Sequence, residues 1–167
     1  PNYVKKIVFP LDTLPVVALL AALFHFAIAY VIILVLAALS SWQFHWTVLY
    51  TPLIMAPFVV LVLGVTWGLA ALGVYLRDVG QLVSPALTAF LFLSPVFYPL
   101  SSVSPKLQVI YQLNPLTIVI EQVRGALLFG RAPEWSLYWP HALLSLVIGW
   151  LGFLVFQKTR QGFADVI

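Results

Sequence analysis

Residues 75–99 read YLRDVGQLVSPALTAFLFLSPVFYP, a charged pair, an apolar run and three prolines that set the architecture expected of the whole chain. Arg77-Asp78 are the first charges after Asp12, so they end a very long uncharged run. An apolar segment follows and closes on Ser94-Pro95 and Tyr98-Pro99. A helix over 82–98 rises only about 25 Å, against about 30 Å of hydrocarbon. With Ser84 as its cap and Pro85 in the first helical position, it would be shorter still. The segment therefore barely crosses a bilayer before two prolines halt it. It is either a short tilted span with a proline-rich exit loop or a truncated crossing beside a pathway. The second reading follows because lipid tolerates no unpaired amide groups, so broken helices collect where backbone lines a cavity.

The surrounding composition sets the class. The chain is 63% hydrophobic and only 8% charged, with a mean hydropathy of +1.07. A soluble domain is roughly a quarter charged. The expected fold is therefore an all-α integral membrane protein, a single transmembrane domain over 1–167. The net charge of +3 comes from loops and speaks of topology, not of nucleic acid. Without cysteine there is no disulfide, thiol nucleophile or thiolate metal site. The three histidines and five acidic residues are scattered, which argues against an enzyme and against a metal site. The chain starts on Pro1 without a signal peptide, and is expected to be part of a longer protein.

Moving outward, about four spans are expected, over 14–39, 48–74, 82–98 and 138–156. The first holds one strongly polar side chain, His25, expected to bond a neighbouring helix. Trp42, Phe44, His45 and Trp46 mark a membrane interface ahead of the second. Pro57 should kink the second span, and Gly64 to Gly68 should admit a neighbouring backbone. Residues 101–130 are too polar to cross and too apolar for a free loop. Ser104-Pro105 and Asn114-Pro115 each read as a cap followed by proline at the first helical position. They predict helices over about 105–113 and 115–129, the second stopped by Gly130. Glu121 and Arg124 sit three apart and can pair. Ile118, Val119, Val123, Ala126 and Leu127 cover the other face. The result is a two-helix re-entrant or interfacial hairpin. Lys5, Lys6, Arg77, Lys158 and Arg160 fall on one side of a four-span topology, which makes that side cytoplasmic. Lys106, Arg124 and Arg131 fall outside.

The run Leu72 to Val79, followed by Ser94-Pro95-Val96-Phe97-Tyr98-Pro99, resembles the permeases of ABC-2 type exporters. More narrowly it resembles the branch that exports O-antigen, capsule and teichoic acid. Asn114-Pro115-Leu116, Glu121, Arg124, Gly125 and Lys5-Lys6-Ile7-Val8-Phe9-Pro10 fit the same pattern. The resemblance implies that 14–39 is the third span of six, preceded by an interfacial helix and two spans. It makes 2–11 a cytoplasmic coupling segment, with Lys5, Lys6, Phe9, Arg77 and Asp78 facing an ATPase. It makes 101–130 external gate helices, with Asn114, Pro115, Glu121 and Arg124 as the gate residues.

Further implications concern partners and cargo. The permease would be a homodimer on cytoplasmic ABC ATPase subunits in the bacterial inner membrane, moving a lipid-linked glycan. ATP and magnesium would sit on the partner, since this chain has no glycine-rich loop ending in Gly-Lys-Ser/Thr and needs no cofactor of its own. Tyr30, Trp67, Phe90, Phe97 and Tyr98 are candidate pathway residues, because aromatic rings offer sugars apolar faces and polar edges. Packing or lipid contact is the plainer role for each. Efflux of drugs or hydrophobic metabolites by the same fold, and a non-transporting membrane scaffold, are the alternatives.

Overall fold

The computed structural model describes residues 12–39, 45–76 and 78–162. Helix α1 (Thr13–Leu39) is almost wholly apolar, and only Pro15 on it is buried. Its 27 residues rise about 40 Å, enough to cross with tilt. Among the described residues His25 reaches no neighbouring helix, contrary to expectation. It lies exposed, and its Nδ1 is 2.7 Å from the Ala21 carbonyl of its own helix. The carbonyl of its own helix thus gives the ring nitrogen a hydrogen-bond partner. Tyr30 makes the interhelical tie instead. Its hydroxyl donates to the Val48 carbonyl at 3.2 Å and meets Thr51 Oγ1 at 2.7 Å.

A 3-10 turn (Trp46–Tyr50) leads into α2 (Thr51–Tyr75). Helix α2 pairs with α6 (Trp135–Thr159), the most extensive helix contact in the fold. Between apolar helices in lipid there is little hydrophobic drive, so close packing of small residues decides the contact. Glycines supply it. A Cβ on Gly64 would lie 2.5 Å from the Gly149 Cα, and one on Gly152 would overlap the Gly64 carbonyl. Among the described residues a Cβ on Gly68 would meet nothing within 4 Å, so there, of the expected Gly64 to Gly68 pair, only Gly64 admits a backbone. Beyond it the rings of Trp67 and Phe153, 5.0 Å apart and edge to face, fill the space.

Pro57 sits inside α2, where its missing N–H leaves the carbonyl four residues earlier without a helical partner. That carbonyl belongs to Leu53, and the Tyr138 hydroxyl of α6 donates to it at 3.3 Å. Trp135, Tyr138 and Trp139 open α6 as successive edge-to-face rings, as an interfacial belt requires. At the opposite end the Tyr75 hydroxyl donates to the Thr159 carbonyl at 3.1 Å. The Trp67 indole N–H donates to the Asp12 carbonyl at 3.0 Å.

Among the described residues three helices are long and apolar enough to cross a membrane: α1, α6, and α2 with its leading 3-10 turn. The fourth expected span, 82–98, is helical only as α3 (Val79–Phe92). Its 14 residues rise about 21 Å. The helix does not start late at Ser84. The Gln81 and Leu82 amides bond the Asp78 carbonyl at 3.0 and 3.3 Å, so the first turn forms earlier and Pro85 is enclosed. Helices α4 (Pro105–Leu113) and α5 (Pro115–Leu128) match their predicted bounds closely. Ser104 makes no capping hydrogen bond, whereas Asn114 Oδ1 accepts from the Leu116 amide at 3.0 Å. Gly130 at φ +62° ends the hairpin, a left-handed conformation that costs glycine little.

Candidate functional site

Seven residues separate the end of α3 from the next 3-10 turn (Leu100–Ser102). Pro95 and Pro99 lie among them, so the carbonyls of this turn find few backbone donors. Side chains of the hairpin supply what the backbone lacks. Arg124 of α5 reaches across and donates from Nη2 to the Pro95 carbonyl at 2.6 Å and the Val96 carbonyl at 3.3 Å. Its Nη1 donates to the Tyr98 carbonyl at 3.4 Å and to Glu121 Oε1 at 2.5 Å. Glu121 Oε1 in turn accepts from the Leu100 amide at 3.4 Å. A planar guanidinium with five donors suits this cluster of acceptors; a lysine ammonium would not span it.

The same turn is held at its start by Asn114. Having used Oδ1 to cap α5, Asn114 donates from Nδ2 to Ser94 Oγ at 2.9 Å and to the Leu93 carbonyl at 3.3 Å. Ser94 is only 1% exposed, and its hydroxyl also donates to the Phe90 carbonyl at 2.6 Å. The Tyr98 hydroxyl donates to the Tyr111 hydroxyl of α4 at 2.9 Å. Gln108 donates to the Val103 carbonyl at 2.7 Å. Polar side chains of both hairpin helices thus converge on residues 93–103. We call this arrangement the clasp.

The hairpin is anchored on its other side. Val119 and Ala126 of α5 are buried against Ile54 of α2, with Met55, Phe58 and Val123 packed around them. Thr47 donates to the Ala126 carbonyl at 2.6 Å. Ile118, expected on this apolar face, instead lines a cavity of about 290 Å³ together with Thr117, Glu121, Gln122, Arg131 and Glu134.

The structure sorts the residues singled out from the sequence. Asn114, Pro115, Glu121, Arg124 and Tyr98 come together at the clasp. Phe97, on the same turn, is 79% exposed, and Phe90 is exposed on α3. Tyr30 and Trp67 stand apart, each with its polar atom bound to backbone at a helix contact. Asp78 immediately precedes α3. Lys5, Lys6, Phe9 and Arg77 lie outside the described residues. Sequence reasoning passes over Gln108, Tyr111, Gly149 and Gly152. The pair Gly149 and Gly152, spaced to share a helix face, was a usable signal; Gln108 and Tyr111 offered none.

Residues 1–128 match the model of the ABC-2 type transporter family. The chain belongs to that family. The match includes the turn, Asn114, Glu121 and Arg124, and ends on the last residue of α5. With several apolar helices, this ABC-2 chain is a multi-pass protein of the inner membrane. It is 29% identical over 169 residues to the O-antigen export system permease protein RfbA of Myxococcus xanthus, covering 99% of this chain and 65% of that protein. It is 25% identical over 171 residues to the protein of the same name from Klebsiella pneumoniae, covering 98% of this chain and 63% of that one. The chain therefore spans about two thirds of the length of these curated relatives. No solved structure matches it.

Proposed function

We propose that this chain is the permease part of an ATP-driven exporter of lipid-linked polysaccharide, and that the clasp governs its external gate. The likeness to two O-antigen export permeases over 98–99% of the chain carries the reading. The permease works as a homodimer, with ATP and magnesium on a separate ABC ATPase subunit. Residues 2–11, with Lys5, Lys6 and Phe9, and the pair Arg77 and Asp78 face that ATPase on the cytoplasmic side, in keeping with the lysine and arginine bias. The hairpin 101–130 closes the external mouth.

The clasp suits a gate because its contacts can be exchanged. Turn carbonyls held by a guanidinium can be handed to water or to a passing hydroxyl, so that opening exchanges one hydrogen bond for another and leaves no carbonyl bare. Exposed Phe90 and Phe97 offer aromatic faces to the cargo. Tyr30 and Trp67 spend their polar atoms on helix contacts, so any part they take in the path is played by their rings.

Deletion of the gene should remove surface glycan, and the full-length chain should restore it. The full-length protein should also co-purify with an ABC ATPase. Unchanged surface glycan on deletion would sink the reading, and lost resistance to apolar drugs in its place would favour efflux. Single cysteines at positions 5 and 77 should react only from inside the cell. Labelling of either in intact cells by an impermeant reagent would reverse the topology.

A further inference from the structure

A cavity lies against the hairpin. Its volume is about 290 Å³, and it lies between the end of α4, one face of α5 and the segment leading into α6. Small-molecule sites run from roughly 300 to 1,000 Å³, so this one takes a single ring and not a drug-sized ligand.

The lining is mixed. Leu100, Ile118 and Leu137 give it apolar wall. Glu121, Glu134 and Arg131 bring charges that nearly balance, because Glu121 is already paired with Arg124. The cavity therefore favours neither a cation nor an anion. Two of its lining side chains are incompletely bonded. Thr117 is 1% exposed, and among the described residues neither its hydroxyl nor Gln122 Oε1 has a hydrogen-bond partner; both atoms are sealed from solvent, and a turn of either side chain presents it to the cavity. Buried polar atoms left unpaired are costly and rare in native proteins. Neutral, rich in hydrogen-bonding groups and backed by aliphatic side chains, the cavity has the chemistry that receives a pyranose ring.

We propose that this cavity is a subsite for one neutral sugar residue, and that its occupancy is read by the clasp through Glu121. The inference rests on the reading of the chain as a glycan exporter. Glu121 belongs to both structures: it lines the cavity, and its Oε1 holds Arg124 and the Leu100 amide. A sugar hydroxyl that donates to Glu121 competes with Arg124 for the carboxylate. It thereby loosens the grip of Arg124 on the turn at 95–98. Cargo at the mouth thus favours the open gate.

The test uses the full-length permease with its ATPase in lipid nanodiscs. The probes are the methyl glycosides of glucose, galactose, mannose, rhamnose and N-acetylglucosamine, followed by saturation-transfer NMR. At least one should receive saturation from the protein. Gln122→Met, close in shape, should weaken that binding about tenfold, and Ile118→Trp, which narrows the cavity with an indole ring, should weaken it at least as much. Binding of no glycoside, or binding undiminished in both variants, overturns the subsite; a cavity that holds only water falls under the first result. Surface glycan in the deletion strain keeps the two readings apart. Glycan lost on deletion with no sugar bound overturns the subsite alone, whereas glycan unchanged on deletion overturns the export reading.

Discussion

The α2–α6 pair and the clasp solve the same problem, holding chain segments together in an apolar setting, by opposite means. Gly64, Gly149 and Gly152 bring two backbones into contact with nothing between them. The clasp leaves segments further apart and bridges them with Arg124, Asn114 and Gln108, each bonded to backbone carbonyls. Close packing has one good arrangement, and any added atom breaks it. Hydrogen bonds to carbonyls have substitutes, because water or a hydroxyl can take the place of each. The first arrangement resists exchange, and the second admits it.

The comparison breaks most easily at the glycines. Gly64→Leu places a side chain where the α6 backbone lies, and should cost about 3 kcal/mol. The membrane should hold far less folded permease, measured by immunoblot and by thermal unfolding in detergent. A normal level would mean that the two helices are not held by close approach.

At the clasp, exchanging the pair sharpens the contrast. The double variant Glu121→Arg, Arg124→Glu restores an ion pair three residues apart but leaves the carbonyls of Pro95, Val96 and Tyr98 without the guanidinium that holds them. Charged hydrogen bonds are worth about 1.5–3 kcal/mol each. Export should stay impaired at a near-normal protein level, and full recovery would show that only the ion pair matters. Asn114 divides in the same way. Asn114→Ala loses cap and tether, about 1 kcal/mol for the cap. Asn114→Asp keeps the cap and loses the two donors to Ser94 and Leu93. Amide hydrogen exchange at 93–96 should accelerate in both, and protection unchanged in Asn114→Asp would remove the tether from the account. Gly68→Ala is the smallest effect, with open space around it. Stability should hold or rise by up to about 1 kcal/mol from helix propensity, read as an unchanged or higher melting temperature.

The helices were legible because their signals are local. Pro105 and Pro115 with their preceding residues, and Gly130 after α5, place the hairpin almost to the residue. Glu121 and Arg124 announced their pairing by spacing. What the sequence hides is which segments meet. Nothing near Arg124 says that its other acceptors lie 26 to 29 residues earlier. The start of α3 was misread for a related reason: Ser84-Pro85 is a strong local cap signal, but Asp78 opens the helix one and a half turns earlier. Ser104 shows that a capping residue in the right place need not cap, and His25 that a lone polar group in a span can be satisfied by its own helix.

The most direct test of the clasp as a gate is surface glycan per permease molecule in cells carrying full-length Asn114→Ala, Glu121→Lys or Arg124→Glu. The account predicts that export falls in each, most steeply for Arg124→Glu, while the amount of permease in the membrane stays near normal. Normal export at normal levels in all three would contradict it and leave residues 101–130 a passive loop.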